Sequence, residues 1–221
     1  MKERPILFSA PMVRALLAGT KSQTRRIVKP RPSEDICLPI NAGLYHPTCV
    51  DRHGEEYPGT EVFGAWSDCG AWVVKCPYGQ PGDRLWVRES FQPLFAEGFE
   101  HGDGLTDWGT GAGYAIRYVA TDGATEWIDG DDEITSRCKP SIHMPRWASR
   151  LTLEITGVRV ERLQSISQED AVAEGVTDWM VGPTSPRDDY RGLWESINGP
   201  GSWELNPWVW VVSFRRLEVS P

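Results

Sequence analysis

The sequence predicts a mostly β chain with a few short helices, an α+β fold built as a small, partly closed β-barrel with helices at its rim. Three observations lead there. Short stretches of alternating apolar and polar residues recur along the chain. Helical stretches are few and brief. The regular strand–helix alternation of a doubly wound sheet is missing, and no Gly-x-Gly-x-x-Gly or P-loop is present.

The elements follow in order. Ile6-Leu7-Phe8 is a short apolar strand. Ser9 is a plausible N-cap and Pro11 suits the first turn of a helix. Met12, Leu16 and Leu17 fall on one face of that helix, and Gly19 fits its end. Thr20 to Val28 is extended, and Lys29-Pro30-Arg31-Pro32 closes it. Residues 33–76 scatter Gly, Pro, Cys and His, and are expected to be an irregular insertion. Pro81-Gly82-Asp83 is a tight turn that launches a half-buried strand over Arg84–Glu89. Residues 92–112 carry many glycines and are expected as a second insertion. Tyr114–Ala120 is a strand, Asp122-Gly123 a hairpin turn, and Glu126–Ile128 its return. Leu151, Leu153, Ile155, Val158 and Val160 mark a longer strand. Ser167 caps a helix running to about Ala173. Asp189–Ile197 is a further short helix inside a third insertion, about 180–205. Trp208–Val219 is an apolar terminal strand. One domain spans 1–221.

Composition narrows the function. The chain has 221 residues, 40% of them hydrophobic, enough for a real core. Its net charge of −8 argues against nucleic-acid binding through a broad positive surface. Positive charge is instead concentrated: no acid lies between Arg4 and Ser33, a segment holding Arg4, Arg14, Lys21, Arg25, Arg26, Lys29 and Arg31. No stretch resembles a signal peptide or a membrane span, so a cytoplasmic protein with reduced cysteines is expected. The eleven tryptophans are expected to line a cleft or to staple long loops to the body.

Several residues could carry chemistry. A lysine deprotonates a threonine hydroxyl when burial or neighbouring cations lower its proton affinity, and Lys21 stands three residues before Thr24 with Arg25 and Arg26 beside them. In an ideal strand that odd spacing puts Lys21 and Thr24 on opposite faces, so convergence requires a turn or bulge after Gly19. A solvated basic strand is the competing reading. Glu174 stands at the C-terminal end of its helix, where a carboxylate meets the negative end of the dipole. That breaks a local rule, and such breaks are enriched at functional sites. His46, Cys49, His53, Cys69 and Cys76 are zinc-type ligands, but they lack a Cys-x-x-Cys pair, and no metal or cofactor is expected. Trp86 offers a stacking surface, with Arg88 and Arg26 able to hydrogen-bond a base edge.

The stretch ILFSAPMVRALLAGTKSQTRR resembles the opening of ASCH domains, members of the PUA-like barrel superfamily. Gly19, Lys21 and Arg26 match their Gly-x-Lys-x-x-Glu-x-Arg signature, and Thr24 replaces its Glu. That departure resembles the branch of N4-acetylcytidine amidohydrolases, in which a lysine and a threonine hold these places and a distant glutamate completes the site. Laid onto ISQEDAVAEG, that glutamate falls on Glu174. PGDRLWV and WVWVVSFRRL resemble the family's turn-and-strand and its last strand. Over the whole chain, with its insertions, the likeness is to larger ASCH-like proteins of phages and prophages. The resemblance implies a PUA-like barrel and an amidohydrolase acting on an N-acylated pyrimidine nucleoside, with Lys21, Thr24 and Glu174 catalytic and Arg26, Trp86 and Arg88 binding substrate. The alternative is a non-catalytic PUA-like module, a phage accessory protein that binds RNA or a modified base.

Overall fold

The computed structural model describes residues 1–33, 36, 38–95, 107–128, 134–135, 137–176 and 185–217. In chain order the elements are β1 (Glu3–Leu7), α1 (Ala10–Leu17), β2 (Gln23–Ile27), β3 (Ile40–Tyr45), β4 (Thr48–Val50), β5 (Glu56–Pro58), β6 (Val62–Ser67), β7 (Val73–Lys75), β8 (Arg84–Arg88), β9 (Phe91–Phe95), β10 (Tyr114–Tyr118), α2 (Val119–Asp122), β11 (Trp127–Ile128), β12 (Ile134–Thr135), β13 (Thr152–Arg162), α3 (Gln168–Ala173), α4 (Pro186–Asn198) and β14 (Trp208–Leu217). The protein is therefore mostly β in an α+β mixture. Among the described residues, no sheet closes into a barrel, and no helix is long and apolar enough to cross a membrane.

The chain divides into two compact units. The first comprises Met1–Lys2, Thr20–Asp83 and Glu154–Arg215. Its central feature is the strand order β13-β14-β2, with β2 at the outer edge. β14 pairs antiparallel with β2, Val209 opposite Ile27, Val211 opposite Arg25 and Val212 opposite Thr24. One face of that sheet carries an apolar core of Val209, Val211, Leu163, Ile166, Ala171, Val176, Tyr190, Trp194 and Trp203. The amphipathic α4 supplies Tyr190 and Trp194 to it. Ser185 and Asp188 start that helix with a reciprocal capping box, and Pro186 occupies its first turn. α4 thus begins earlier than Asp189, inside a segment expected as insertion.

Residues 33–76 are not irregular where they are described. β3, β6 and β7 form an antiparallel sheet, and β4 and β5 a hairpin. Glycines hide these strands from propensity. A Cβ on Gly64 would overlap the Val74 carbonyl oxygen, so the close approach of β6 to β7 requires glycine there. The turn before β8 is as expected: Asp83 N–H donates to Gln80 O at 2.9 Å, and Gly82 has φ 89°. Asp83, in turn, takes the Lys2 N–H at 2.7 Å. The cysteines depart from uniform reduction: Cys69 is disulfide-bonded, while Cys49, Cys76 and Cys138 are free thiols.

The second unit comprises Glu3–Gly19, Arg84–Leu153 and Arg216–Pro221. β1 runs parallel to β8, with Ile6 opposite Val87. Ser9 stands at the N-cap of α1, without a side-chain cap bond, and Gly19 follows the helix at φ 75°. Two expectations change. β10 pairs back with β9 rather than with a strand after Asp122. β11 pairs instead with β12. The reason is local. Asp122 accepts the Tyr118 N–H at 3.0 Å, and Arg117 donates to Asp122 O at 2.6 Å, so the chain winds into the helical turn α2 instead of a hairpin. β9 itself lies in the stretch expected as loop over 92–112, of which 96–106 fall outside the described residues. The tryptophans do staple this unit. Trp108 stacks on Phe91 and meets Trp147 edge-on, while Trp147 Nε1 donates to Trp108 O at 2.7 Å.

Candidate functional site

The site is built where β2 begins. After Gly19 the chain is not yet in the ladder: Lys21 makes a single isolated bridge, to Glu174, and Ser22 N–H donates to Ala173 O at 2.9 Å. The end of α3 therefore lies along the outer edge of β2. Ser167 starts α3 by accepting the Asp170 N–H. The helix ends with Glu174 as C-cap and Gly175 at φ 85°, a left-handed conformation that glycine adopts without strain. Six residues of helix thus carry the chain from a capped start to a carboxylate at the strand edge.

Lys21 and Glu174, 153 residues apart, meet at 2.8 Å between Nζ and Oε2, with side chains 1% and 4% exposed. Nζ also donates to Gln23 O at 2.8 Å and to Glu174 O at 2.7 Å. An ammonium has three N–H groups, and these three acceptors match it. Burial pulls the Lys21 proton affinity below its ordinary value. Glu174 opposes that pull, and Arg26 and Arg25 reinforce it.

Strand alternation sorts the neighbours. Gln23 and Arg25 share one face of β2, joined by Arg25 Nη1 donating to Gln23 Oε1 at 2.6 Å. Arg25 Nη1 also lies 3.4 Å from Glu174 Oε1, and its Nη2 holds Glu161 Oε1 and Asp170 Oδ2, each at 2.7 Å. Arg159 takes the same two carboxylates from outside, at 2.9 Å and 2.7 Å. Tyr190 of α4 brings its phenol against Glu174; burial, then that carboxylate, holds the phenol proton well above the ordinary range. Thr24 and Arg26 lie on the other face, beside Val212 and Trp210. Thr24 is buried, as are Lys21, Glu174, Gln23 and Arg25.

Convergence of Lys21 with Thr24 requires a turn or bulge after Gly19; Gly19 itself lies in a turn at φ 75°, and Nζ bonds Gln23 O, Glu174 O and Glu174 Oε2. Phe214 N–H donates to Ser22 O and Val28 N–H to Trp208 O, so the even-numbered residues of β2 bond inward to β14. The Gln23 carbonyl then points out of the sheet edge, and Nζ sits on it. Of the proposed catalytic residues, Lys21 and Glu174 are brought into contact. Thr24 lies on β2, while Nζ bonds Gln23 O, Glu174 O and Glu174 Oε2.

Trp86 and Arg88 lie on β8, in the second unit. Arg88 donates to Met144 O at 3.0 Å, and its guanidinium lies 5.1 Å from the Trp86 ring, with that of Arg146 at 6.0 Å. The ring is thus covered by cations from its own unit. The zinc-type residues go separate ways. His46 Nδ1 meets Gly59 O, His53 Nε2 accepts from Arg52, and no group of three or more metal-binding side chains forms among the described residues.

Sequence reasoning missed Asp170, Glu161 and Tyr190 as partners of this site. Asp170 lies in the first turn of α3, where an acid is favoured without any distant partner. Its second role, on Arg25, depends on a contact 145 residues away that no local pattern announces. No protein-family model, curated protein or solved structure matches the chain.

Proposed function

We propose that the protein is an ASCH-like, PUA-like-fold amidohydrolase acting on an N-acylated pyrimidine nucleoside such as N4-acetylcytidine. The observation that carries this reading is the buried 2.8 Å contact of Lys21 with Glu174, the two residues that the resemblance singles out from distant parts of the chain. A lysine that burial drives toward neutrality, paired with a carboxylate, is a base and a proton carrier in one place.

Neutral Lys21 turns from the Gln23 carbonyl and takes the Thr24 hydroxyl proton. Thr24 Oγ1 attacks the acyl carbon, and Arg26 or a backbone N–H steadies the oxyanion. The C–N bond breaks, and the proton passes from Lys21 through Glu174 to the leaving amine. Water then attacks the threonine ester and gives a proton to Lys21, which passes it to Thr24 Oγ1 as the ester C–O bond breaks and the carboxylic acid leaves.

Hydrolysis of N4-acetylcytidine, followed by ultraviolet absorbance, tests this. Thr24→Val keeps the shape of the buried side chain and should fold but not turn over. Thr24→Ser should retain part of the activity. Lys21→Met and Glu174→Gln should each lose about 10²–10⁴-fold. Full activity in Thr24→Val sinks the scheme. A wild-type protein that cleaves no acylated cytidine but is retained on RNA in a salt-dependent way would be a binding module instead.

A further inference from the structure

Glu174 is shared by two cations. Lys21 holds Oε2 at 2.8 Å, and Arg25 Nη1 approaches Oε1 at 3.4 Å. The Arg25 side chain is fully buried, and its far side is clamped by Glu161 and Asp170. Its Nη1 is further fixed by Gln23 Oε1. A guanidinium held in this way is permanently charged and has no room to leave.

The amide-hydrolase reading, on which this inference rests, requires Lys21 to give up and regain a proton while buried. A buried carboxylate that loses its only counter-ion is left uncompensated, which is strongly unfavourable. That cost would hold the proton on Lys21. We propose that Arg25 is a positioning residue of the site: it fixes the Glu174 carboxylate and supplies the standing positive charge that lets Lys21 exchange its proton without stranding a buried anion.

The charged and titratable groups around Lys21 fit this role. β2 contributes Arg25 and Arg26, α3 contributes Asp170 and Glu174, β13 contributes Arg159 and Glu161, and α4 contributes Tyr190. Asp170 and Glu161 turn to the guanidinium groups of Arg25 and Arg159. Glu174 bonds both Lys21 and Arg25. Arg25 is also outside the Gly-x-Lys-x-x-Glu-x-Arg positions, so its role is read from contacts alone.

The test uses a readout that does not need turnover. The chain has five lysines, so the Cε resonances of ¹³C-lysine-labelled protein are few, and the Lys21 signal is the one lost in Lys21→Met. In Arg25→Gln the Lys21 titration midpoint should rise by about one pH unit or more, and in Arg25→Lys it should stay near wild type. The acid limb of kcat/KM for N4-acetylcytidine should move with it. That gives about a tenfold loss at a fixed pH on the limb, recovered at higher pH. An unmoved midpoint in folded Arg25→Gln overturns the proposal, as does a loss of activity that is equal at every pH. If Arg25→Gln does not fold, Glu161→Gln replaces it. Releasing one clamp strengthens the hold of Arg25 on Glu174 and should lower the midpoint; a midpoint that stays or rises overturns the proposal. Should the wild type hydrolyse nothing while the midpoint still shifts, the hydrolase reading fails and the role of Arg25 at the pair stands.

Discussion

Breaking the Lys21–Glu174 pair from either side should have unequal consequences, because Arg25 stands on one side only. In Lys21→Met the ammonium disappears with its desolvation penalty, and Glu174 keeps Arg25 at 3.4 Å. Two carbonyls, Gln23 O and Glu174 O, lose a donor. A cost of about 2–3 kcal/mol follows, below the usual figure for a broken buried pair. In Glu174→Leu the ammonium remains buried with only those carbonyls, so about 3–5 kcal/mol is expected. The double variant strands neither charge. It should cost about 2–4 kcal/mol, leaving a coupling energy of about 3 kcal/mol in the cycle. Urea unfolding followed by tryptophan fluorescence measures all four proteins. Additive single effects, within about 0.5 kcal/mol, would refute the pair as a buried contact. A Lys21→Met variant less stable than Glu174→Leu would refute the compensating part played by Arg25.

Three further outcomes follow from single positions. Burial, then Glu174, holds the Tyr190 proton well above its ordinary value, so the folded state keeps that proton where the unfolded chain releases it, and stability falls as pH rises above about 10. Tyr190→Phe should make that alkaline decline shallower by up to about 1.4 kcal/mol per pH unit, read from urea midpoints between pH 9 and 11.5; an unchanged slope contradicts it. Gly64→Ala would press a Cβ onto the Val74 carbonyl and bring it within 2.7 Å of the Tyr45 ring, so hydrogen exchange should accelerate over Val73–Lys75 and stability should drop by about 2 kcal/mol or more. Gly175→Ala forces a side chain into φ 85°, at about 1–2 kcal/mol, and should speed exchange of the Ser22 amide, which is bonded to the end of α3; an unaffected Ser22 amide would show that this end does not hold the edge.

What was legible in the sequence was what local chemistry decides. The Pro-Gly-Asp turn and the alternating strand after it, the Ser167 cap and the helix to Ala173, and the long terminal strand all depend on neighbours within a few residues. The strands of 40–75 were not legible, because Gly43 and Gly64 dilute the β signal, and at Gly64 a Cβ would overlap the Val74 carbonyl oxygen. The start of α4 was hidden by reading Ser185-Pro186 as loop, although Ser followed by Pro and, at the third position, an acid is a helix-start pattern. At the site, Lys21, Thr24 and Glu174 were reachable through residue type and resemblance. The shared use of Glu174 by Lys21, Arg25 and Tyr190 was not, since it joins β2, α3 and α4 across long separations.

Lys21 also covers part of the open edge of β2. An outer strand exposes a row of backbone groups that some device must cover. On β2 the cover is the end of α3, through the Ser22–Ala173 bond, and Lys21 itself, whose Nζ occupies the outward carbonyls of Gln23 and Glu174. Arg25 reaches Glu174 from one face of β2, and Thr24 lies on the other. The edge position also explains why Glu174 tolerates the unfavourable end of its helix: Lys21, Arg25 and Tyr190 meet it there, and their attraction outweighs a dipole effect of about 0.3–1 kcal/mol. A carboxylate that stabilised α3 alone would sit in its first turn, beside Glu169 and Asp170; Glu174 sits where the partners are.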